Sequence, residues 1–431
     1  MDRVIAARAQ MGTSLSFHIV FAALGVGLPL LVFIAEGAWL RTKDRAYYDL
    51  ARNWAKGMGI LFGVGAVSGT IVAFQLGLLW PGFMRYAGGI IGMPFSLEGF
   101  AFFIEAIFIG VYLYGWERLS PRAHWLALLP IIVSGAASAA FVTLANAWMQ
   151  MPTGFRMVDG KPVDVQPIVA MFPMPWGVEV LHATIAAYVF TGFAAAAVCA
   201  WAWLRGDRRP TVVAGLRVAA ILAMCAIPVQ VLSGDSSARF DANHEPVKFA
   251  AMEVVHHTAR NVPFTVGGIP TADGIRYAIE IPSLLSFLVG YSTQTEIVGL
   301  DSVAPADRPP VGLTHFSFDA MAGSGTLLLA IAAYWLIALR RRRAFSKGPV
   351  WAMLVAGPLA LIALQAGWFV TEFGRQPWIA VGLQRTSDAA TLAPHVEYTF
   401  LGFSALYVVF TVTTAWLLRR IDRRAAAVTA S

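Results

Sequence analysis

Charge is what this sequence has least of. Asp, Glu, Lys and Arg make up only 13% of its 431 residues, against 58% hydrophobic ones, and the mean hydropathy is +0.64. A soluble domain carries about 25% charged residues, so this composition excludes one and points to a polytopic membrane protein in a lipid bilayer. Cysteine is as scarce: Cys199 and Cys225 both fall inside apolar runs, which excludes a disulfide framework and leaves them as small packing residues. No A-x-A-like site closes the first apolar run, so Arg3 and Arg8 do not open a cleaved signal peptide. Internal sequence repeats, low-complexity tracts and a separate soluble domain are also missing.

What is present is a series of long apolar runs. A hydrocarbon core of about 30 Å takes about 20 residues of helix, and open sheet cannot satisfy its backbone groups there. Nine runs qualify, near 14–40, 54–80, 95–117, 124–149, 180–204, 214–234, 316–339, 350–372 and 395–418. The expected fold is therefore all-α, with nine transmembrane helices. The basic residues test the count. Most of the 32 Lys and Arg fall on one side of this arrangement, including Arg41 to Lys56, Arg205 to Arg217 and Arg340 to Arg343. The positive-inside rule then places the N-terminus outside and the C-terminus in the cytoplasm. The formal net charge of +7 reflects that orientation and is no sign of nucleic-acid binding. Residues 275–291 imitate a tenth span but contain Glu280 and Pro282, and a span there would put Arg340–Arg343 outside. They are assigned to the outer loop, lying on the membrane surface or on the bundle. The chain divides into helices one to six (1–234), an outer loop (235–315) and helices seven to nine with a cytoplasmic tail (316–431).

Charged and metal-ligating side chains inside spans are costly, so each invites a functional reading. His18, Glu98, His182, Met321 and Glu372 are all expected towards the outer leaflet. Singly each has an ordinary explanation, a hydrogen-bonded interfacial histidine or a packing methionine. A His, Met and carboxylate set at one depth suits iron porphyrins. Glu98 and Glu105 are seven apart, sharing one face of a helix at about 10 Å axial separation, and suggest a proton relay. Ser138 and Asn146 offer a hydroxyl and an amide to extend it, although Ser138 lies in a Gly/Ala/Ser-rich stretch that also suits helix packing.

The stretches GWFVTEFGRQPW (367–378), SLEGFAFFIE, LANAWMQMP and GMGILFGVGAVSGTIVAFQLG resemble the large haem-bearing subunit of cytochrome bd-type quinol oxidases, over nearly the whole chain. The resemblance implies a quinol:oxygen oxidoreductase of a bacterial cytoplasmic membrane. It would oxidise quinol outside, reduce oxygen with cytoplasmic protons, and work with a second, smaller membrane subunit and a single-span accessory peptide. His182 and Met321 look like the axial pair of a low-spin haem b. His18 and Glu372 resemble ligands of a high-spin haem b and a haem d, or a b-type haem in its place; which holds which is left open. Glu98, Glu105, Ser138 and Asn146 match the oxygen-reducing site and its proton path. Trp368 and Arg375 look like an electron-transfer contact and a propionate or acid partner. In VKFAAMEVV, Lys248 and Glu253 resemble the quinol-site pair. Glu253 would accept a proton, and Lys248 would stabilise the quinolate or pair with Glu253. His244, His256, His257, His315 and His395 have no counterpart and are read as solvated. The loop looks like the short type, and Asp319 stands where the family pattern has Arg, which is expected to lower the potential of an adjacent haem. A haem-b electron-transfer anchor would have no use for the Glu372 stretch. A proton-coupled transporter would be expected to show repeat symmetry and broken helices.

Overall fold

In hydrocarbon every backbone amide must find its partner within its own segment, and the long apolar runs resolve accordingly into helices. The computed structural model describes residues 2–271 and 274–430. Nine helices among the described residues are long and apolar enough to cross a membrane: α1 (Arg3–Thr42), α2 (Arg45–Leu79), α3 (Pro81–Tyr114), α4 (Pro121–Gln150), α5 (Trp176–Leu204), α6 (Pro210–His244), α7 (Val311–Arg340), α8 (Lys347–Arg375) and α9 (Val396–Ile421). Local chemistry sets their ends. Asp2 accepts from the N–H groups of Val4 and Ile5 to start α1, and Lys43 closes it in the left-handed region. Asp44 then caps α2 through the N–H of Ala46.

Several helices outrun their apolar stretches at one end. α1 starts at Arg3 and α3 at Pro81, well before 14 and 95, while α6 continues to His244. At 40 residues, α1 is about 60 Å long, twice the hydrocarbon thickness. The projecting turns of α1 and α3 hold because they bury apolar side chains together: Ala6, Leu79, Phe83, Trp148 and Ile379 share a second core, while the end of α6 packs Ala238 and Ala242 on the outer loop's own apolar cluster around Phe249. The N–H of Thr391 bonds the carbonyl of Leu79 (2.8 Å), and that of Val381 bonds Met149 (3.0 Å). His18 and Glu98 consequently lie well inside their helices rather than in the first turns.

The stretch that imitated a tenth span is not a membrane helix. Phe264–Val266 pairs antiparallel with Ile279–Ile281, Ile269–Thr271 pairs with Gly274–Arg276, and Leu284–Gly290 is a seven-residue helix. Pro282 and the polar backbone demands of the hairpin end any longer helix here.

The helices form two four-helix bundles. Helices α1 to α4 pack in a ring, α5 to α8 pack in a second, the two meet along α1 and α5, and α9 lies against α1 and α2. No sequence periodicity announces this repeated architecture. At the basic end, a fully buried clasp ties α1, α3 and α4. His124 Nδ1 lies 2.7 Å from Glu36 Oε1, its Nε2–H donates to the carbonyl of Tyr112 (2.9 Å), and the Tyr112 hydroxyl donates to Glu36 Oε2 (2.6 Å).

Candidate functional site

The end of α8 organises a polar chain. Arg375, buried to 4% exposure, donates from Nη2 to Glu372 Oε2 (2.7 Å) and from Nη1 to Asn146 Oδ1 at the end of α4 (2.9 Å). The Asn146 amide in turn donates to Glu179 Oε2 at the start of α5 (2.8 Å). Sequence reading missed Glu179; its one signal was an acid in the first turn of a span, three residues before His182. Beyond it lies Lys248, whose Nζ binds Glu245 (3.1 Å) and Asp241 (3.2 Å). Lys248 packs so closely that a Cβ on Gly374 would stand 2.7 Å from its Cγ.

Lys248 does not pair with Glu253. Both lie on the helix Pro246–Glu253, where five residues turn the chain through 500°, leaving them about 140° apart. Burial opposes the ammonium charge of Lys248, but the carboxylates of Asp241 and Glu245 outweigh it and hold its pKa above the ordinary lysine range. Glu253 faces the other way. Burial first, and the negative Asp319 second, push its carboxyl up to about 8.

His315 corrects the expectation that it is solvated. At 1% exposure it is trapped where the first turns of α7 cover the helix Pro246–Glu253. Its Nδ1–H donates to the carbonyl of Met252 (2.7 Å), and its Nε2 lies 3.4 Å from Asp319 Oδ2. The Asp319 carboxylate also accepts from the backbone N–H of Gly267, pinning the outer hairpin to α7. His244 and His257 are exposed and His256 is half-buried; His395 is largely exposed.

Of the remaining candidates, Met321 on α7 points its sulfur at α8, where a Cβ on Gly367 would meet Sδ at 2.9 Å. Only glycine lets the thioether lie there. Beside it, Trp368 packs edge-on against Phe369. His182 on α5 faces α6, with Gln230 Nε2 3.0 Å from its Nε2; His18 on α1 faces α2, with Nδ1 3.0 Å from Ser68 Oγ. Glu105 is buried on α3 with its carboxylate against Gly135 of α4, and Glu98 is half-buried two turns away. Ser138, one turn along α4 from Gly135, has no hydrogen-bond partner among the described residues. Asn146 is held in the Arg375 chain and is not beside Glu105.

These residues fit haem. An imidazole, a thioether and a carboxylate are donors that iron porphyrins accept. Arg375 Nε, Gln365 Oε1 and Glu179 Oε1 are buried without a partner among the described residues. Arg375 Nε is a donor matched to a propionate.

The cytochrome bd terminal oxidase subunit I family matches residues 6–426. A Bacillus subtilis (strain 168) protein, provisionally assigned as a cytochrome bd menaquinol oxidase subunit I, is 35% identical over 97% of this chain and 96% of its own length. The cytochrome bd-II ubiquinol oxidase subunit 1 of Escherichia coli (strain K12) is 28% identical over 98% of this chain and 96% of its own. The bd oxidase structure from Geobacillus thermodenitrificans superposes with a TM-score of 0.94 at 37% identity, covering 98% of this chain and 99% of that one. With its nine spans, its two bundles and a match that runs almost end to end, the chain belongs to the cytochrome bd terminal oxidase subunit I family.

Proposed function

We propose that this bd-type quinol oxidase subunit oxidises quinol at its outer loop and would hold three haems to carry the electrons, a low-spin haem b, a high-spin haem b and a haem d or a b-type haem in its place. Oxygen is reduced to water with protons drawn from the cytoplasm. Membership of a subunit I family implies haem and a second subunit; the smaller membrane subunit and a single-span peptide complete the enzyme. The observation that carries the reading is the buried chain Glu372–Arg375–Asn146–Glu179, which runs from the α8 carboxylate towards the lysine of the loop.

Each side chain has a task set by its surroundings. Lys248, held charged by Asp241 and Glu245, presents a fixed positive charge that favours the quinolate. Glu253 is the base: once ionised, a carboxyl with a pKa near 8 takes a quinol proton more readily than an ordinary carboxylate. The short loop of residues 245–310 keeps Glu253 against Asp319 of α7 and Lys248 against Gly374 of α8. His182 and Met321 hold the low-spin haem, while His18 and Glu372 hold the other two. Trp368 lies beside Gly367 as the contact between them, and Arg375 neutralises Glu372 and a propionate. Bound haem supplies the one-electron and oxygen chemistry. Glu105 and then Glu98 move protons outward along one face of α3, with Ser138 on the facing helix. Releasing protons outside and consuming them from inside separates charge without a pump, at about 2.3 kcal/mol per charge per 100 mV.

A reduced-minus-oxidised spectrum of the purified oxidase, with and without carbon monoxide, tests this. Two b-type signals and a far-red band that shifts with carbon monoxide are expected. The b signals with no carbon-monoxide response would replace oxygen reduction by plain electron transfer, and a colourless, properly assembled protein would end the reading.

A further inference from the structure

His18 and His182 occupy corresponding places in the two bundles. Each lies on the first helix of its bundle, α1 or α5, and each faces a Ser-Gly pair on the second, Ser68-Gly69 on α2 and Ser233-Gly234 on α6. Nδ1 of His18 is 3.0 Å from Ser68 Oγ, and Nδ1 of His182 is 3.0 Å from Ser233 Oγ. In both places the serine oxygen also reaches the carbonyl three residues back, Gly65 at 3.1 Å and Gln230 at 2.9 Å.

A hydroxyl has one hydrogen and a carbonyl has none. Given to the carbonyl, that hydrogen leaves Oγ as an acceptor, and the imidazole Nδ1 opposite it must donate. The ring then carries its proton on Nδ1 and its lone pair on Nε2. The Gln230 amide nitrogen lies 3.0 Å from His182 Nε2 and 3.2 Å from Nδ1 and so favours neither tautomer, which leaves the serine geometry to set it. The glycine after Ser68 lets the His18 ring lie against α2, whereas the contact at Gly234 is an ordinary one. A Cβ on Gly69 would stand 2.9 Å from His18 Cε1, and one on Gly234 would stand 3.5 Å from His182 Cε1.

We propose that Ser68 and Ser233 are positioning residues that lock His18 and His182 in the Nδ1–H tautomer, so that each presents an Nε2 lone pair to a haem iron. The two Ser-Gly pairs are one device used once in each bundle. This rests on the ligand reading above. A hydrogen bond from the outer nitrogen of a ligating histidine orients the ring and makes it a stronger electron donor, so each serine also tunes the potential of the haem its histidine holds.

The test is a redox titration of the haem bands of the intact oxidase, with resonance Raman spectra of its ferrous form. Ser233→Ala is expected to raise the midpoint potential of the low-spin haem alone. Ser68→Ala should raise that of the haem held by His18 and lower its iron–histidine stretching frequency. Ser68→Thr and Ser233→Thr, which keep the hydroxyl, should give wild-type values. If an alanine variant does not assemble, cysteine, similar in shape but a weak acceptor, should give the same shift. Unchanged potentials and frequencies in the alanine or cysteine variants overturn the proposal. His18→Ala and His182→Ala separate the two claims. Retention of both haems would remove the ligand reading itself, whereas their loss beside silent serine variants would remove only the positioning role.

Discussion

Glu253 and Lys248 share eight residues of helix and face opposite environments, and that difference yields a pH dependence. Below about 8 the Glu253 carboxyl is neutral, because burial and Asp319 disfavour its charge, and a neutral carboxyl cannot take a proton. Quinol oxidation is therefore expected to rise as pH climbs from 6 through 8 and then level, measured as steady-state turnover with a soluble quinol. Glu253→Gln should flatten the profile and cut turnover by about a hundredfold with all haem bands retained; a variant that kept both the rise and the rate would remove Glu253 from the chemistry. The pair was legible as two residue types at a familiar spacing. Its geometry was not, since the partners of Lys248 come from α6 and from Glu245. His315 was misread for a related reason. A histidine just before an apolar run reads as interfacial, and only the docking of α7 on the loop helix, 63 residues away at Met252, encloses it.

At the scale of elements, helix number was readable because hydropathy reports it directly, but helix ends were not. The outer turns of α1 and α3 share one core and those of α6 pack on the loop helix through Ala238 and Ala242, which leaves no continuous apolar run. The clasp at the opposite end shows the same limit. Glu36 is one acid within an otherwise apolar window, and its partners lie 76 and 88 residues further on. Removing it leaves His124 Nδ1 and the Tyr112 hydroxyl buried without their partner. Leaving buried polar groups without a partner costs about 1–3 kcal/mol each. Glu36→Ala should accordingly lower the unfolding temperature of the detergent-solubilised oxidase well below wild type, with a smaller loss for Glu36→Gln, which keeps an acceptor oxygen. An alanine variant as stable as wild type would reduce the clasp to an ornament of packing.

At the scale of the whole molecule, the candidate ligands are divided between the bundles: His18 stands in the first, and His182, Met321 and Glu372 in the second. On the proposed ligand assignment, electrons moving between the bundles would cross the seam of α1 and α5. That seam is closed by a glycine. A Cβ on Gly27 would overlap the Thr191 side chain, whose hydroxyl donates across the seam to the carbonyl of Ala23 (3.0 Å). Small residues permit this approach of backbones in membranes, so Gly27 governs how closely α1 approaches α5. Gly27→Val forces α1 off α5 at a cost of about 1–3 kcal/mol without touching a ligand. The expected outcome is full haem content with slower electron transfer from the low-spin haem to the haem held by His18, followed by stopped-flow reduction with quinol. The sequence displayed Gly27 only as one small residue in an apolar run, because a seam between two bundles exists only once both have folded. Wild-type transfer rates in a variant whose seam had demonstrably opened would mean that the haems keep their spacing by some contact other than that of α1 with α5.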